Sequence, residues 1–331
     1  MSKIVCETLE EKHLPFICSV TENLSEKNGN LCLLNDFRKK YFAGFICKSS
    51  DNNEEAIFGY ILYYYSYSTW EARVVYISVL HLIDSIDTEF KTLIFEKMCL
   101  NLIAIARDMK CSRINYNLNI IRNPLYEQLF VEKIRAFNLT KLENWTFFSM
   151  DNHILKSFGE VDRNKFEINI RDKNIKIRKF DVKTDCDKVR ELIYELAVFE
   201  KLEDQFRMKT DELARDYKDF YDCFVAEDAK NGDVIAFALY YYNYSLDNGR
   251  GCYLEDLYVK PEWRGLGIGT LLWRKVANET LDNDASYLEW NCLDWNTDAI
   301  QFYLKNKAYN SSSVNNTHYI RIRRERIYED N

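Results

Sequence analysis

The plainest chemistry in this chain lies in six consecutive residues, Arg264-Gly265-Leu266-Gly267-Ile268-Gly269. Alternating glycines let a backbone pass through positive φ and come close to a ligand. The N–H groups of such a loop, with the positive end of a following helix, make a site for phosphate. The spacing is not the dinucleotide pattern G-x-G-x-x-G, because position 270 is Thr. It is not a P-loop either, because no Gly-Lys-Ser/Thr follows. On the glycines alone, a purely structural turn is the competing reading.

The loop needs a strand before it and a helix after it. Tyr253 to Val259 is a β-rich run that ends at Lys260-Pro261. Beyond the loop, Ile268, Leu271, Leu272 and Val276 fall at i, i+3, i+4 and i+8, the spacing of one helix face. Around this unit, strands are expected at 176–180, 224–226, 234–242 and 287–292. Phe224-Val-Ala226 and Val234 to Tyr242 are joined by an Asn-Gly-Asp turn, a hairpin signal. A helix is expected over 187–201, with Val189, Leu192, Ile193, Leu196 and Ala197 on one face, and another over 298–305. Tyr319 to Arg323 is expected to close the sheet. This order predicts an α/β, layered α+β domain with a mixed, mostly antiparallel sheet.

A chain of 331 residues fits two such domains. With ten Gly and three Pro it has little material for long flexible linkers. A formal charge of −7 leaves no footprint for nucleic acid or an anionic membrane, and suits a small cationic substrate. No run reaches the ~18 apolar residues of a membrane helix. The opening Met-Ser-Lys-Ile-Val-Cys lacks the apolar centre of a signal peptide, so a cytoplasmic location is expected. Ten scattered cysteines without a C-x-x-C pair, and only four histidines, predict neither a disulfide framework nor a metal site.

The chain also repeats itself. Tyr63-Tyr64-Tyr65 matches Tyr240-Tyr241-Tyr242 and Tyr76 matches Tyr253, both at an offset of 177. Ser112 to Asn117 matches Ser286 to Asn291 at an offset of 174. Two tandem copies of one domain explain both matches with one small insertion. The expected domains are 1–160 and 172–331, with the boundary within 155–172.

Residues 176–323 resemble the diamine acetyltransferases, the spermidine/spermine and thialysine N-acetyltransferases of the GNAT superfamily. The resemblance rests on Glu195-Leu-Ala-Val-Phe-Glu200, Tyr253-Leu-Glu-Asp256, the 264–269 loop, Trp295-Asn296 and Phe302-Tyr303. It implies two tandem GNAT-like domains and an acetyl-CoA-dependent N-acetyltransferase acting on a small primary amine: a diamine, a polyamine or an amino-acid side chain. It implies Glu255 as general base and Tyr303 as the acid that protonates the leaving thiolate. Backbone amides of Leu257 and Val259, the loop Arg264, Gly265, Leu266, Gly267, Ile268 and Gly269, and Asn296 would hold acetyl-CoA. Glu200 and Asp256 would hold the cationic substrate; Glu195 and Glu203 are weaker candidates on a solvated face. Asn296 also reads as the N-cap of the last helix.

The sequence departs from that family in the turn before the Tyr-Leu-Glu-Asp strand. The family carries an acidic residue and a tryptophan there; this chain has Ser245 and Asp247, and the tryptophan survives only in the first copy, as Trp70. The departure argues against spermidine and spermine and toward a shorter amine. The first copy is disarmed. Ser78 and Val79 stand opposite Glu255 and Asp256, Asp84 to Glu89 replaces the glycine loop, and Val131, beside Phe130, stands opposite Tyr303. It is expected to be non-catalytic, forming an intramolecular pseudo-dimer in a monomeric chain. Two other functions fit the same residues: a regulatory protein that binds acyl-CoA or polyamine, and a peptide N-acetyltransferase.

Overall fold

The computed structural model describes residues 4–21, 29–50, 56–121, 123–141, 145–170, 172–311 and 317–329. Strands β1 (Ile4–Thr8), β2 (Ala43–Ser49), β3 (Ile57–Ser68), β4 (Ala72–Leu82), β5 (Arg113–Asn119) and β6 (Phe137–Asn138) build one sheet. Strands β7 (Trp145–Met150), β8 (Glu167–Ile170), β9 (Lys173–Lys179), β10 (Asp222–Asp228), β11 (Asp233–Ser245), β12 (Gly249–Val259), β13 (Leu288–Leu293) and β14 (Tyr309–Asn310) build the other. A last strand, β15 (Thr317–Ile322), does not join the sheet of its own half. It pairs antiparallel with β5 and with β6 in the first sheet. In the same way β7 inserts between β13 and β14 of the second sheet.

The two halves therefore exchange their final strands. The expected domains 1–160 and 172–331 divide the chain but not the sheets, because 145–170 belongs wholly to the second sheet. Tyr319 to Arg323 closes a sheet, but that of the first copy. The physical reason is the repeat itself. β7 and β15 are equivalent strands at an offset of 172, so either fits the slot beside β5 or β13.

Pairing within the copies follows the repeat closely. Tyr64 lies across from Tyr76, and Tyr241 from Tyr253. Across the parallel pairs, Tyr76 faces Asn115 and Tyr253 faces Glu289. Both copies carry a β-bulge at the matching place, between Leu62 and Tyr63 and between Leu239 and Tyr240.

Helices α1 (Leu14–Val20), α2 (Gly29–Arg38), α3 (Thr88–Asp108) and α4 (Pro124–Glu132) belong to the first half, and α5 (Asn152–Gly159) packs with the second sheet. Helices α6 (Cys186–Glu200), α7 (Thr210–Asp216), α8 (Ile268–Asp282) and α9 (Thr297–Lys305) follow, with a short α10 (Arg324–Ile327) returning to the first core. The predicted apolar faces of α6 and α8 are buried.

Three cores result. One face of each sheet has its own, and the third is shared, joining Tyr60, Tyr64 and Tyr67 with Val189, Phe237 and Tyr241. Across this shared layer Arg73 pairs with the buried Asp216 at 2.8 Å, and the Tyr244 hydroxyl donates to Asp36 at 3.0 Å. Among the described residues, no helix is long and apolar enough to cross a membrane.

Candidate active site

β12 carries the bulge on its Glu255 side. Leu239 lies across from Asp256 and Tyr240 from Leu254, so Glu255 has no partner. Plain alternation would send Glu255 and Asp256 to opposite faces of the sheet. The extra residue turns both to the face of Leu239 and Tyr241, toward the shared core. Glu200, the last residue of α6, brings a third carboxylate to the same place.

The three acids crowd one another. Burial, then the charge of Asp256, pushes Glu255 up to about 8, against a pull from Arg113. Burial pushes Asp256 up to about 7, and leaves its Oδ2 without a hydrogen-bond partner among the described residues. Burial, then Asp256 and Glu255, pushes Glu200 up to about 8.

Beside this cluster β12 and β13 part. They pair only at Cys252–Leu288 and Tyr253–Glu289, whereas β4 and β5 stay together for one residue pair beyond the equivalent place, as far as Ile77–Tyr116. Past the bulge the Lys260 N–H donates to Ile235 of β11, so alternation turns the amides of Val259 and Leu257 to the edge that β13 has left. Val259 also presents its carbonyl there, where Arg264 Nε donates to it at 2.9 Å.

The loop follows at once. Gly265 (φ 75°) and Gly267 (φ 83°) sit in the left-handed region, and Gly267 is the N-cap of the 15-residue α8. Gly269 has ordinary φ, and a Cβ there would meet only Val259 at 3.6 Å. The Arg264 guanidinium lies over the Phe199 ring at 5.3 Å, at the end of α6.

Tyr303 is 9% exposed, ringed by Phe148 at 5.4 Å, Trp273 at 5.3 Å and Trp290 at 5.1 Å. Burial raises its hydroxyl pKa far above the ordinary value, and the charges of Cys292, Glu200 and Asp256 add to this, so the phenol keeps its proton. The structure thus brings Glu255, Asp256, Glu200 and Tyr303 into one neighbourhood. Asn296 is the N-cap of α9, accepting from the Ala299 N–H at 3.3 Å. Glu195 stands apart, holding the Tyr258 hydroxyl at 3.0 Å and Lys260 at 3.7 Å, and Glu203 is exposed. Among the described residues no group of His, Cys, Asp and Glu could hold a metal ion.

The first copy supplies side chains that sequence reasoning did not connect to the site. Thr69, in the β3–β4 turn, meets Glu255 through its backbone N–H and Asp256 through its side chain. The next residue, Trp70, accepts the Arg207 N–H at 2.9 Å with its carbonyl. The turn facing Glu255 is therefore the first copy's, which keeps its tryptophan. The loss at Ser245 and Asp247 concerns the turn that faces the other copy. Arg113, 8% exposed, is held by Glu71 at 2.9 Å. Trp70 was visible in the sequence as the surviving tryptophan, but Thr69 and Arg113 left no signal, and a repeat does not reveal which turn crosses to which site.

At the corresponding place in the first copy, Ser78 Oγ donates to the Tyr244 carbonyl at 2.8 Å. The N-terminus of α3 is capped by Asp87, which accepts from the Phe90 N–H at 2.9 Å. Helices α4 and α9 start at an offset of 173, which sets Phe130, not Val131, over Tyr303. Phe130 is fully buried and Val131 is exposed. The counterpart ring is present but lacks the hydroxyl.

The Acetyltransferase (GNAT) family profile matches residues 188–308. The chain is 39% identical over 154 residues to a thialysine N-epsilon-acetyltransferase from Bos taurus, covering 44% of this chain and 91% of that one. It is 30% identical to a human spermidine/spermine N(1)-acetyltransferase-like protein 1, over 44% of this chain and 22% of that one. A solved tandem GNAT protein from the clavulanic acid biosynthesis pathway covers 99% of this chain and 100% of its own, with a TM-score of 0.53 and 10% identity. The chain belongs to the GNAT acetyltransferase family and is an N-acetyltransferase built from two GNAT-like domains.

Proposed function

We propose that the second copy transfers the acetyl group of acetyl-CoA to a small primary amine, at the point where β12 and β13 part. The observation that carries this reading is the carboxylate cluster Glu255, Asp256 and Glu200, set beside an open strand edge and a glycine-turned helix N-terminus.

An alkylammonium has a pKa near ~10.4, so at neutral pH the free amine is disfavoured by about 4–5 kcal/mol. Glu255, raised toward neutrality by burial, is matched to take that proton. Asp256 and Glu200 favour a cation in the same place. Acetyl-CoA supplies the activated acetyl thioester. The donor set fits it: amides of Leu257 and Val259 face the gap for the thioester oxygen, and the loop 264–269 with the α8 N-terminus suits a pyrophosphate. Asn296, at the start of α9, completes the set of residues assigned to acetyl-CoA. Tyr303, protonated throughout the working range, gives its proton to the departing thiolate.

Relatives named for thialysine and for spermidine/spermine acetylation support an amine acceptor. The first copy, with Ser78, an acid-capped α3 and Phe130, is non-catalytic in this reading and serves as the built-in partner of the second. The working form is one chain of 39.5 kDa.

A panel of primary amines with acetyl-CoA, followed by release of free thiol, tests the proposal. Thiol release with small primary amines is expected. No release with any amine would overturn it.

A further inference from the structure

A cavity of about 470 Å³ lies between the two copies, walled by both. Glu255 forms part of its wall, so it opens directly onto the proposed base. A second carboxylate, Glu289 of β13, lines the same space and has no part in the acetyl transfer described above. We infer that this chamber is a second cation site, in which Glu289 holds the distal ammonium of a diamine whose other nitrogen lies at Glu255. The inference rests on the amine-acetylation reading and names the class of amine.

Geometry sets the spacing. Glu289 lies directly across from Tyr253 on the neighbouring parallel strand, and Glu255 is two residues further along β12 on the same face. Strand rise and separation put the two Cα atoms about 8 Å apart. That is the reach of a short alkyl diamine.

Glu289 lacks the partner that a structural carboxylate would have. The Asn243 side chain, 5% exposed, donates to it from Nδ2 at 3.1 Å, and Asn243 Oδ1 is itself buried without a partner. Among the described residues no Lys or Arg forms an ion pair with Glu289. The cations nearer Glu255 are engaged elsewhere: Arg113 with Glu71 at 2.9 Å, and Arg321 with Asn115 at 3.2 Å. A carboxylate taken out of water without a cation is unfavourable, and an amide would fill the same role in the fold. The repeat places that amide, Asn115, at the equivalent position of the first copy.

The walls suit an alkylammonium as well. Tyr241 and Tyr253 stack at 5.1 Å, with Tyr253 next to both carboxylates in the sheet, and Tyr64 and Tyr76 stack at 5.1 Å on the first copy's side. Tyrosine rings attract cations and pack against methylenes.

The test is calorimetry on the full chain with 1,4-diaminobutane and with n-butylamine. The diamine is expected to bind at least roughly tenfold more tightly, the gain from one charge-assisted contact. Glu289→Gln should bring the two affinities within about threefold of each other, and Glu289→Asp should keep part of the difference. Thermal unfolding of each variant verifies that it is folded. Equal affinities in the native chain, or a preference untouched by Glu289→Gln, would overturn the chamber site. Failure of acetyl transfer to either amine would count against the catalytic reading instead, because binding is read without turnover.

Discussion

Turning Glu255 and Asp256 to one face of β12, with Glu200 beside them, has a thermodynamic cost. A carboxyl buried among carboxyls keeps its proton to higher pH when folded than when unfolded. Glu200 is held near about 8, against an ordinary value of about 4.3. Between those values the folded chain binds more protons, so stability falls as pH rises through that window. Glu200→Gln is therefore expected to raise Tm above that of the native chain at about pH 9, with the gain shrinking toward about pH 5. Scanning calorimetry across pH measures it, and a constant gain would show that the charge is not the cause. Under the proposed mechanism catalysis runs the other way, because Glu255 as general base must be ionised to act. The native kcat/KM should climb as pH passes through about 8, and Glu255→Gln should lose ~10²–10⁴-fold near neutrality, and less where free amine is plentiful. Tyr303→Phe should reduce kcat while leaving acetyl-CoA affinity nearly intact; an unchanged rate would remove Tyr303 from the chemistry. Glu255 and Tyr303 enter as candidates from the sequence through the residues around them, and the structure sets both near Asp256. That Asp256 shares the face of Glu255 could not, because a bulge is one extra residue and leaves no mark in an alternating strand.

Among the elements, the strand–loop–helix unit was the most legible part. Its hydrophobic spacing is local, and the buried face of α8 includes Ile268, Leu271, Leu272 and Val276 as the period predicts. The three glycines of the loop are not equivalent, though their spacing suggests it. Gly267 needs its positive φ to start α8, whereas Gly269 has an ordinary backbone and room for a methyl group. Gly267→Val is expected to destabilise the chain by about 1–2 kcal/mol through backbone strain alone, read by denaturant unfolding. Gly269→Ala should leave unfolding unchanged. If its place in the loop serves a pyrophosphate, acetyl-CoA affinity in calorimetry falls without any loss of stability. Retained affinity would make Gly269 a plain helix residue. The parting of β12 from β13 was not legible, since parallel pairing depends on contacts 35 or more residues apart.

At the scale of the molecule, the repeat gave the number of copies, and the substitutions at Ser78 and Asp84 to Glu89 gave the copy proposed to be disarmed. It did not give the sheets, because equivalent strands carry equivalent patterns and the sequence does not say which slot each fills. Strand exchange makes the halves interdependent. Expressed separately, 1–160 and 161–331 should each be insoluble or self-associated, since each lacks a strand of its own sheet and exposes one meant for the other. Co-expressed, they should reassemble into one species near 39.5 kDa by light scattering. Two independently folded, monomeric fragments would contradict the exchange. The intact chain is expected to bind one acetyl-CoA, and a calorimetric stoichiometry of two would show that the first copy is not disarmed.

The exchange also sets a timetable for biosynthesis. β7 leaves the ribosome well before β13, its partner, and at ~5–20 residues per second the wait is on the order of ten seconds. The first sheet waits longer still, because β15 lies further along the chain from β5 than β13 does from β7. Until β13 and β15 are made, a nascent chain carries an unmatched strand beside an open sheet edge, and two nascent chains on one message could each complete the other. Any share of interlocked pairs in the product is then expected to vary with translation speed rather than with the stability of the finished fold.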